Sequence, residues 1–186
     1  HTVQFPAFEA QGISKPVAVG LLPEKPSSPW VAPWEANKDR GGATVSDYGC
    51  ALKTGYSVWN RERHRFCAAI DPNAYPPLWA RNLRSGKECQ PQRRSGTGMD
   101  FVSVPMKSSA IISGPAAVIQ RTTNSSQPRR IIAAMVDRNS IKGWNGFVTE
   151  NHTIVISGKD PISLDLLVLL LNTRAVDERY RAVSGT

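Results

Sequence analysis

Three short apolar runs lie within residues 118–156, and they constrain the fold more than any other feature of the chain. Residues 118–123 and 153–156 are rich in β-branched side chains, and residues 131–136 form an apolar run of strand length. The first and second runs are separated by turn-forming side chains at residues 124–128. The pattern therefore predicts three strands, two of which are joined as a hairpin.

Arginines flank this predicted turn, with Arg121 before it and Arg129 and Arg130 after it. Guanidinium groups at one rim of a sheet suit contacts with phosphates and with guanine, because each group offers a planar fork of hydrogen-bond donors. The alternative is an ordinary hairpin whose charged tip is only solvated. A single hairpin does not decide between these two interpretations.

The C-terminal part of the chain predicts two helices. Asp160 and Pro161 form a helix start, with an N-cap side chain followed by proline at the first helical position. Residues 162–172 are apolar on almost every side, which is typical of a buried helix, and they are too few for a bilayer span of about 20 residues. Residues 174–183 are amphipathic. We expect an α+β fold, with a twisted mixed or antiparallel sheet, a buried C-terminal helix and long basic rim loops.

The first part of the chain is rich in proline, with six prolines between residues 6 and 33. Because proline fixes φ and removes a hydrogen-bond donor, a long helix is excluded there. We expect an extended arm or linker over residues 1–43, with a short strand at residues 16–19 and with Trp30 and Trp34 packed on the main body. Residues 44–186 are then one folded domain.

The formal net charge of the 186-residue chain is +8, and the excess is confined to two segments. Residues 61–94 hold eight Lys or Arg and three acids, whereas residues 121–142 hold five Lys or Arg and one acid. This confinement indicates a patch that binds a polyanion rather than diffuse solubilising charge. Fifteen of the 23 basic residues are Arg, which suits bidentate recognition better than Lys.

The first basic segment follows a predicted strand at residues 56–59. The charged residues 60–66 form either a solvated turn or a loop that contacts a nucleic-acid backbone. Residues 84–98 have almost no apolar side chains, which is typical of a flexible loop that becomes ordered on a polyanion.

Cysteine and histidine usage indicates neither a disulfide framework nor a zinc site. Cys50, Cys67 and Cys89 contain no C-x-x-C pair, and the three histidines are far apart in the chain. This usage fits a reducing cytosol, so we expect a cytoplasmic location and no membrane partner. The chain starts at His1 without a signal-peptide pattern, and we interpret it as a piece of a longer protein.

A series of short motifs runs in one order across residues 44–186. The motifs are Asp47-Tyr48-Gly49, Lys53-Thr54-Gly55, Val58-Trp59-Asn60-Arg61, Pro77-Leu78-Trp79-Ala80, Gln120-Arg121-Thr122-Thr123, Gln127-Pro128-Arg129-Arg130, Ile132-Ala133-Ala134, Glu150-Asn151-His152, Leu170-Leu171-Asn172, Val176-Asp177, Tyr180-Arg181 and Ser184-Gly185-Thr186. Together they resemble the C-terminal target recognition domain of restriction–modification adenine-N6 DNA methyltransferases of the amino-methyltransferase, TaqI-like class.

The resemblance implies sequence-specific recognition of double-stranded DNA on behalf of a catalytic methyltransferase domain in the same parent chain. The parent is then a type II methyltransferase or a fused methyltransferase–nuclease that uses S-adenosylmethionine for DNA methylation. The family's Gly-rich methyl-donor turn is not found in this sequence. Its catalytic Asn/Asp-Pro-Pro-Tyr/Phe motif is also missing, since residues 71–77 have those letters in another order. We expect no catalytic residue, no metal and no cofactor in this piece.

The candidate DNA-binding residues fall into two groups. Phosphates are expected to contact a basic cradle made of Lys53, Arg61, Arg63, Arg65, Arg93, Arg94, Arg121, Arg129 and Arg130. Base edges are expected to be read by two loops, Asn124–Gln127 and Lys142–Asn145, whose amides and Lys could reach a groove.

Three further side chains have a structural alternative. Trp144 either stacks on DNA or belongs to the core, and Asn151 and His152 are expected to be structural hydrogen-bonding residues at a strand start. Two other functions stay open for the whole chain, namely a stand-alone nuclease and an RNA-binding module.

Overall fold

The computed structural model describes residues 2–9, 12–21, 44–68, 71–83, 100–124, 126–137, 139–140, 144–158 and 160–184. The chain divides into two compact units, Thr44–Tyr180 and a second unit of His1–Ala43 with Arg181–Thr186. In the second unit, strands β1 (Thr2–Glu9) and β2 (Gly12–Leu21) form an antiparallel hairpin. The strand expected at residues 16–19 lies within β2. The tryptophans expected to hold the arm, Trp30 and Trp34, lie outside the described residues.

The larger unit contains nine short strands, three 3-10 turns and two helices among its described residues. The strands are β3 (Cys50–Thr54), β4 (Phe66–Cys67), β5 (Ala74–Tyr75), β6 (Pro77–Leu78), β7 (Phe101–Ser103), β8 (Ala116–Gln120), β9 (Ala133–Val136), β10 (Val148–Thr149) and β11 (Thr153–Gly158). The 3-10 turns span Val45–Tyr48, Arg63–Arg65 and Ala80–Asn82, and the helices are α1 (Pro161–Leu171) and α2 (Arg174–Ser184).

The main sheet has four antiparallel strands in the order β3-β11-β8-β9. All three strands predicted within residues 118–156 are therefore present and are neighbours, and β8 and β9 form the predicted hairpin. β8 ends at Gln120 rather than at residue 123. β9 begins at Ala133 rather than at residue 131, because the N–H of Ile131 bonds to the side chain of Asp177 instead of a neighbouring strand.

Both faces of the sheet are covered at β8 and β9, which explains why these two strands are mostly apolar, whereas residues 51–54 of β3 are exposed. On one face, Val118 and Val136 pack with Leu78 and Phe147. On the other face, Ile156 packs with a second set that includes Ala117, Ala133, Met135, Leu164 and Val168. The α+β class is confirmed, with the C-terminal helix α1 packed on the sheet.

Helix α1 begins as predicted, because the carboxylate of Asp160 accepts a 3.2 Å hydrogen bond from the backbone N–H of Ser163. The helix packs on the sheet as predicted, but only one of its sides is buried. Leu164 and Val168 are buried, whereas the outward-facing Leu166 and Leu169 are each more than 60% exposed. The sheet covers only one side of this eleven-residue helix.

The remaining strands build a small sheet, β4-β7-β5, and a parallel pair, β10-β6. The strand predicted at residues 56–59 is absent: of these residues only Ser57 forms a bridge, to Glu150. The pairing of β3 with β11 ends at Gly55, whose N–H donates to the carbonyl oxygen of Thr153, the first residue of β11, at 2.9 Å, and residues 59–61 form a turn. The aromatic side chains nearby instead build a separate core, in which the rings of Trp59 and Phe66 meet edge to face at 4.5 Å.

Two polar side chains fasten the helical region to the hairpin. Asn172 accepts a hydrogen bond from the N–H of Ala133 and donates one to the carbonyl oxygen of the same residue. One carboxylate oxygen of the buried Asp177 accepts the N–H groups of both Arg130 and Ile131, at 2.7 and 2.8 Å. No helix among the described residues combines the length and the hydrophobicity that a membrane crossing requires.

Candidate nucleic-acid interface

Two segments that are about 90 residues apart in the chain meet beside the main sheet. The N–H of Ser57 donates to the carbonyl oxygen of Thr149 at 3.0 Å, and the N–H of Asn151 donates to the carbonyl oxygen of Ser57 at 2.9 Å. Gly55 is essential to this junction, because a Cβ added there would lie 2.0 Å from the carbonyl oxygen of Glu150. One arginine of each basic segment contacts a residue at or next to this junction: Arg65 contacts Tyr56, and Arg121 contacts Asn151.

Arg121 is anchored on one side of the junction. Its backbone N–H donates to the carbonyl oxygen of His152 at 2.7 Å, and its Nη1 donates to the carbonyl oxygen of Asn151 at 3.2 Å. The side chain is exposed, so the other guanidinium donors face solvent. The prediction that Asn151 and His152 are structural hydrogen-bonding residues at the start of β11 is confirmed.

Arg65 is anchored on the other side of the junction. Its Nη1 donates to the Tyr56 hydroxyl at 2.6 Å and lies 3.2 Å from the carboxylate of Glu62. The guanidinium also lies over the Tyr56 ring, 6.0 Å from its centroid. Tyr56 directly precedes Ser57, and Ser57 is hydrogen-bonded to Asn151. Arg65 and Arg121 therefore contact two backbone segments that are paired with each other.

Three arginines of the first basic segment lie over aromatic rings, which holds their charges at defined positions. Besides Arg65, Arg63 lies 5.8 Å from the centroid of Trp59, and Arg81 lies 5.5 Å from that of Trp79. Arg61 is exposed in the preceding turn. Arg81 was not among the predicted site residues, although its position two residues after a tryptophan was a signal for it.

The two arginines after the hairpin turn are not presented to solvent as predicted. Arg129 is half-buried and donates to the carbonyl oxygens of Ile131 and Thr173, at 3.4 and 3.1 Å. Arg130 is only 8% exposed, and its Nε donates to Thr123 Oγ1 at 2.9 Å. The bond from the Arg130 N–H to Asp177 draws this part of the chain inward, so the side chain follows the backbone into the protein.

A polar pocket of about 430 Å³ opens between the hairpin and α2. Its wall contains Arg121, Thr122, Thr123, Arg130, Asn151, His152 and Tyr180. Thr122 Oγ1 and His152 Nδ1 are hydrogen-bonded at 2.8 Å. The two threonines and Tyr180 were not predicted as site residues; the threonines adjoin Arg121 in sequence, whereas nothing local identifies Tyr180.

Glu150 lies behind this pocket and is buried. One of its oxygens accepts the backbone N–H of His152 at 3.1 Å, and the other lies 3.5 Å from His152 Nε2. Burial raises the pKa of the Glu150 carboxyl above its ordinary value of 4.5, and the neighbouring His152 opposes this rise.

The two loops predicted to read bases are only partly described. In the first, Asn124 Oδ1 accepts hydrogen bonds from the N–H and hydroxyl of Ser126, and Gln127 Oε1 accepts the N–H of Asn124. Both amide oxygens therefore stabilise the turn itself. In the second, Lys142 lies outside the described residues and Asn145 is exposed.

Two more predicted side chains, Trp144 and Lys53, lie within the described residues. The ring centroid of Trp144 lies 6.5 Å from that of Phe101, in an edge-to-face contact that favours the core alternative. Lys53 is exposed and its Nζ donates to the carbonyl oxygen of Ser109 at 2.7 Å. Arg93 and Arg94 lie outside the described residues.

No protein-family model, no curated protein sequence and no solved structure matches this chain. The resemblance to methyltransferase recognition domains therefore stays a prediction that depends on the motifs of the sequence. Among the described residues, no group of three or more His, Cys, Asp or Glu side chains is arranged to hold a metal ion.

Proposed function

We propose that this chain recognises double-stranded DNA in a sequence-specific manner, as the specificity domain of an adenine-N6 DNA methyltransferase of a restriction–modification system. The observation that supports this proposal best is that one arginine from each basic segment contacts the same backbone junction. Arg65 is bonded to Tyr56 and Arg121 to Asn151, and the backbones of Ser57 and Asn151 are hydrogen-bonded to each other. We infer that these charges, which come from distant parts of the chain, belong to one DNA-binding surface.

In this proposal the exposed arginines position the domain on the sugar–phosphate backbone. Arg61, Arg63 and Arg121 are exposed, and Arg63 and Arg65 are held over aromatic rings. Side chains fixed in this way lose less conformational entropy when they contact a phosphate. Base edges are then read by the loop that contains Asn145 and by the loops that flank this surface.

The catalytic part of the proposed system lies elsewhere in the parent chain. Methyl transfer from S-adenosylmethionine would be the task of a separate catalytic domain, and this chain would supply the target recognition. The proposal assigns no catalytic, cofactor-binding or metal-binding residue to the described part of the chain.

The proposal is tested by measuring the affinity of the chain for a duplex DNA library across a range of salt concentrations. Arg65→Gln and Arg121→Gln should each weaken binding and reduce the slope of log K against log salt by about 0.9 for one lost phosphate contact. Arg174→Gln is the matched control, because Arg174 is exposed on α2 and paired with Glu178.

Affinity that does not depend on salt, or an equal effect of the Arg174→Gln control, would contradict the proposed interface. Preference for single-stranded RNA in competition with the duplex would favour an RNA-binding module. Nicking of plasmid DNA in the presence of magnesium would favour a nuclease.

A further inference from the structure

The polar pocket contains a buried positive charge that nothing described in the protein neutralises. Arg130 is 8% exposed, and its Nη1 is buried and has no hydrogen-bond partner. Among the described residues no carboxylate pairs with this guanidinium: Asp177 accepts the backbone N–H of Arg130, and Nε is bonded to the neutral hydroxyl of Thr123. An unpaired buried cation is costly, because it has lost its water without gaining a counter-charge.

A second cation lies in the wall of the same pocket. One guanidinium nitrogen of Arg121 donates to the carbonyl oxygen of Asn151, and the rest of the side chain is exposed. Further hydrogen-bonding groups lie in the wall, namely the Thr122 hydroxyl, the His152 ring and the Tyr180 phenol. Glu150 is not part of the wall, and its carboxylate lies behind His152.

This combination of groups selects for a particular kind of ligand. Two guanidinium groups with hydroxyl donors between them match the tetrahedral oxygens of a phosphate, which accept several charge-assisted hydrogen bonds at once. The volume of about 430 Å³ exceeds what one phosphate needs and lies in the range of small-molecule sites, so the group attached to the phosphate also has room.

We propose that this pocket binds a phosphate group, with Arg121 contacting it directly and Arg130 supplying charge from the wall. The phosphate can be a diester of the DNA backbone or a terminal monoester. Only the first source rests on the proposed function, because a terminal phosphate would bind whether or not the chain recognises duplex DNA.

The first experiment uses inorganic phosphate alone, titrated by calorimetry into the full chain in a buffer free of phosphate and sulfate. Arg121→Gln should reduce the affinity at least about tenfold, since a hydrogen bond to a charged group is lost. Arg174→Gln is the matched control, because Arg174 is exposed on α2, is paired with Glu178 and is not part of the pocket wall. It should leave the affinity unchanged.

The second experiment separates the two sources with one DNA duplex made in two forms, with hydroxyl ends and with 5′-phosphates. Tighter binding of the phosphorylated form that disappears in Arg121→Gln identifies a terminal phosphate. If both forms of the duplex bind with the same affinity, and Arg121→Gln weakens the binding of both to the same extent, the ligand is a phosphodiester of the DNA backbone. Either result supports the site.

Absence of phosphate binding by the wild type, or an equal loss in Arg121→Gln and Arg174→Gln, would overturn the inference. Because Arg121 is exposed, its variant should fold, and circular dichroism checks this. Phosphate binding without any affinity for duplex DNA would instead refute the proposed function and leave the phosphate site standing.

Discussion

The backbone N–H of Asn151 donates a 2.9 Å hydrogen bond to the carbonyl oxygen of Ser57, and this bond joins two stretches of the chain that are about 90 residues apart. Ser57 returns a bond to Thr149, so the pairing is reciprocal. Arg65 and Arg121 are each bonded to a residue at this junction or next to it. The junction is therefore the place where a structural change should affect both stability and the proposed binding surface.

Gly55→Ala tests the junction, because the added Cβ would lie 2.0 Å from the carbonyl oxygen of Glu150 and 2.6 Å from Thr153 Oγ1. Relief of such an overlap requires the backbone to move, so we expect the free energy of unfolding to fall by about 1–3 kcal/mol. Gly114→Ala is the control, since nothing lies within 4 Å of its added Cβ and the change should be within about 0.5 kcal/mol. Urea unfolding curves measure the stability of both variants. Equal stability of Gly55→Ala and Gly114→Ala would mean that the junction is not tightly packed.

Leu164 and Leu169 test which side of α1 is buried. Leu164 is fully buried against the sheet, so Leu164→Ala should lower the free energy of unfolding by about 2–5 kcal/mol. Leu169 is on the same helix but 61% exposed, and Leu169→Ala should change the free energy of unfolding by no more than about 0.5 kcal/mol. Thermal and chemical denaturation of the pair provide the comparison. A large loss in Leu169→Ala would show that the outer side of the helix is covered in solution.

Asp177 tests the connection between α2 and the hairpin. Its removal in Asp177→Ala leaves the N–H groups of Arg130 and Ile131 without their acceptor, which should cost at least about 2 kcal/mol. Asp177→Asn keeps an acceptor oxygen and should lose less stability. The exposed Asp165 on α1 provides the control variant Asp165→Ala. If Asp177→Ala unfolds at the same urea concentration as this control, the carboxylate is not needed to hold the hairpin.

Glu150 should make stability depend on pH. Burial raises the pKa of this carboxyl above 4.5, so the folded protein binds its proton more tightly than the unfolded chain does. The stabilisation from the protonated group is fully present below pH 4.5 and is lost as the pH rises through the folded pKa. Glu150→Gln keeps the size of the side chain and an acceptor oxygen for the His152 N–H.

The measurement for this prediction is the difference in free energy of unfolding between the wild type and Glu150→Gln from pH 4 to pH 8. Taking the difference removes the contribution of other acids, such as Asp137, whose pKa is lowered by hydrogen bonds from Ser140. The wild type should lose stability relative to the variant as the pH rises. Parallel curves would show that Glu150 is equally solvated in both states.

Much of the fold followed from local patterns in the sequence. Short β-branched runs next to turn-forming residues predicted β8, β9 and β11, because strand propensity and turn chemistry act over a few residues. The same holds for the start of α1, where Asp160 caps the helix. The strand expected at residues 56–59 did not form, because β11 begins at Thr153, opposite Gly55, and beyond that point Ser57 bonds to Thr149 and Asn151, about 90 residues away in the chain.

The sequence by itself determined the strands, the helix start and the two concentrations of positive charge. Only the tertiary structure decided which arginines are available, because burial depends on partners that are far away in the chain. Arg121 and Arg130 flank the same turn, but the first is exposed beside Asn151 and the second is drawn inward where Asp177 holds its backbone. No local sequence pattern predicts that difference in exposure, since Asp177 lies 47 residues beyond Arg130.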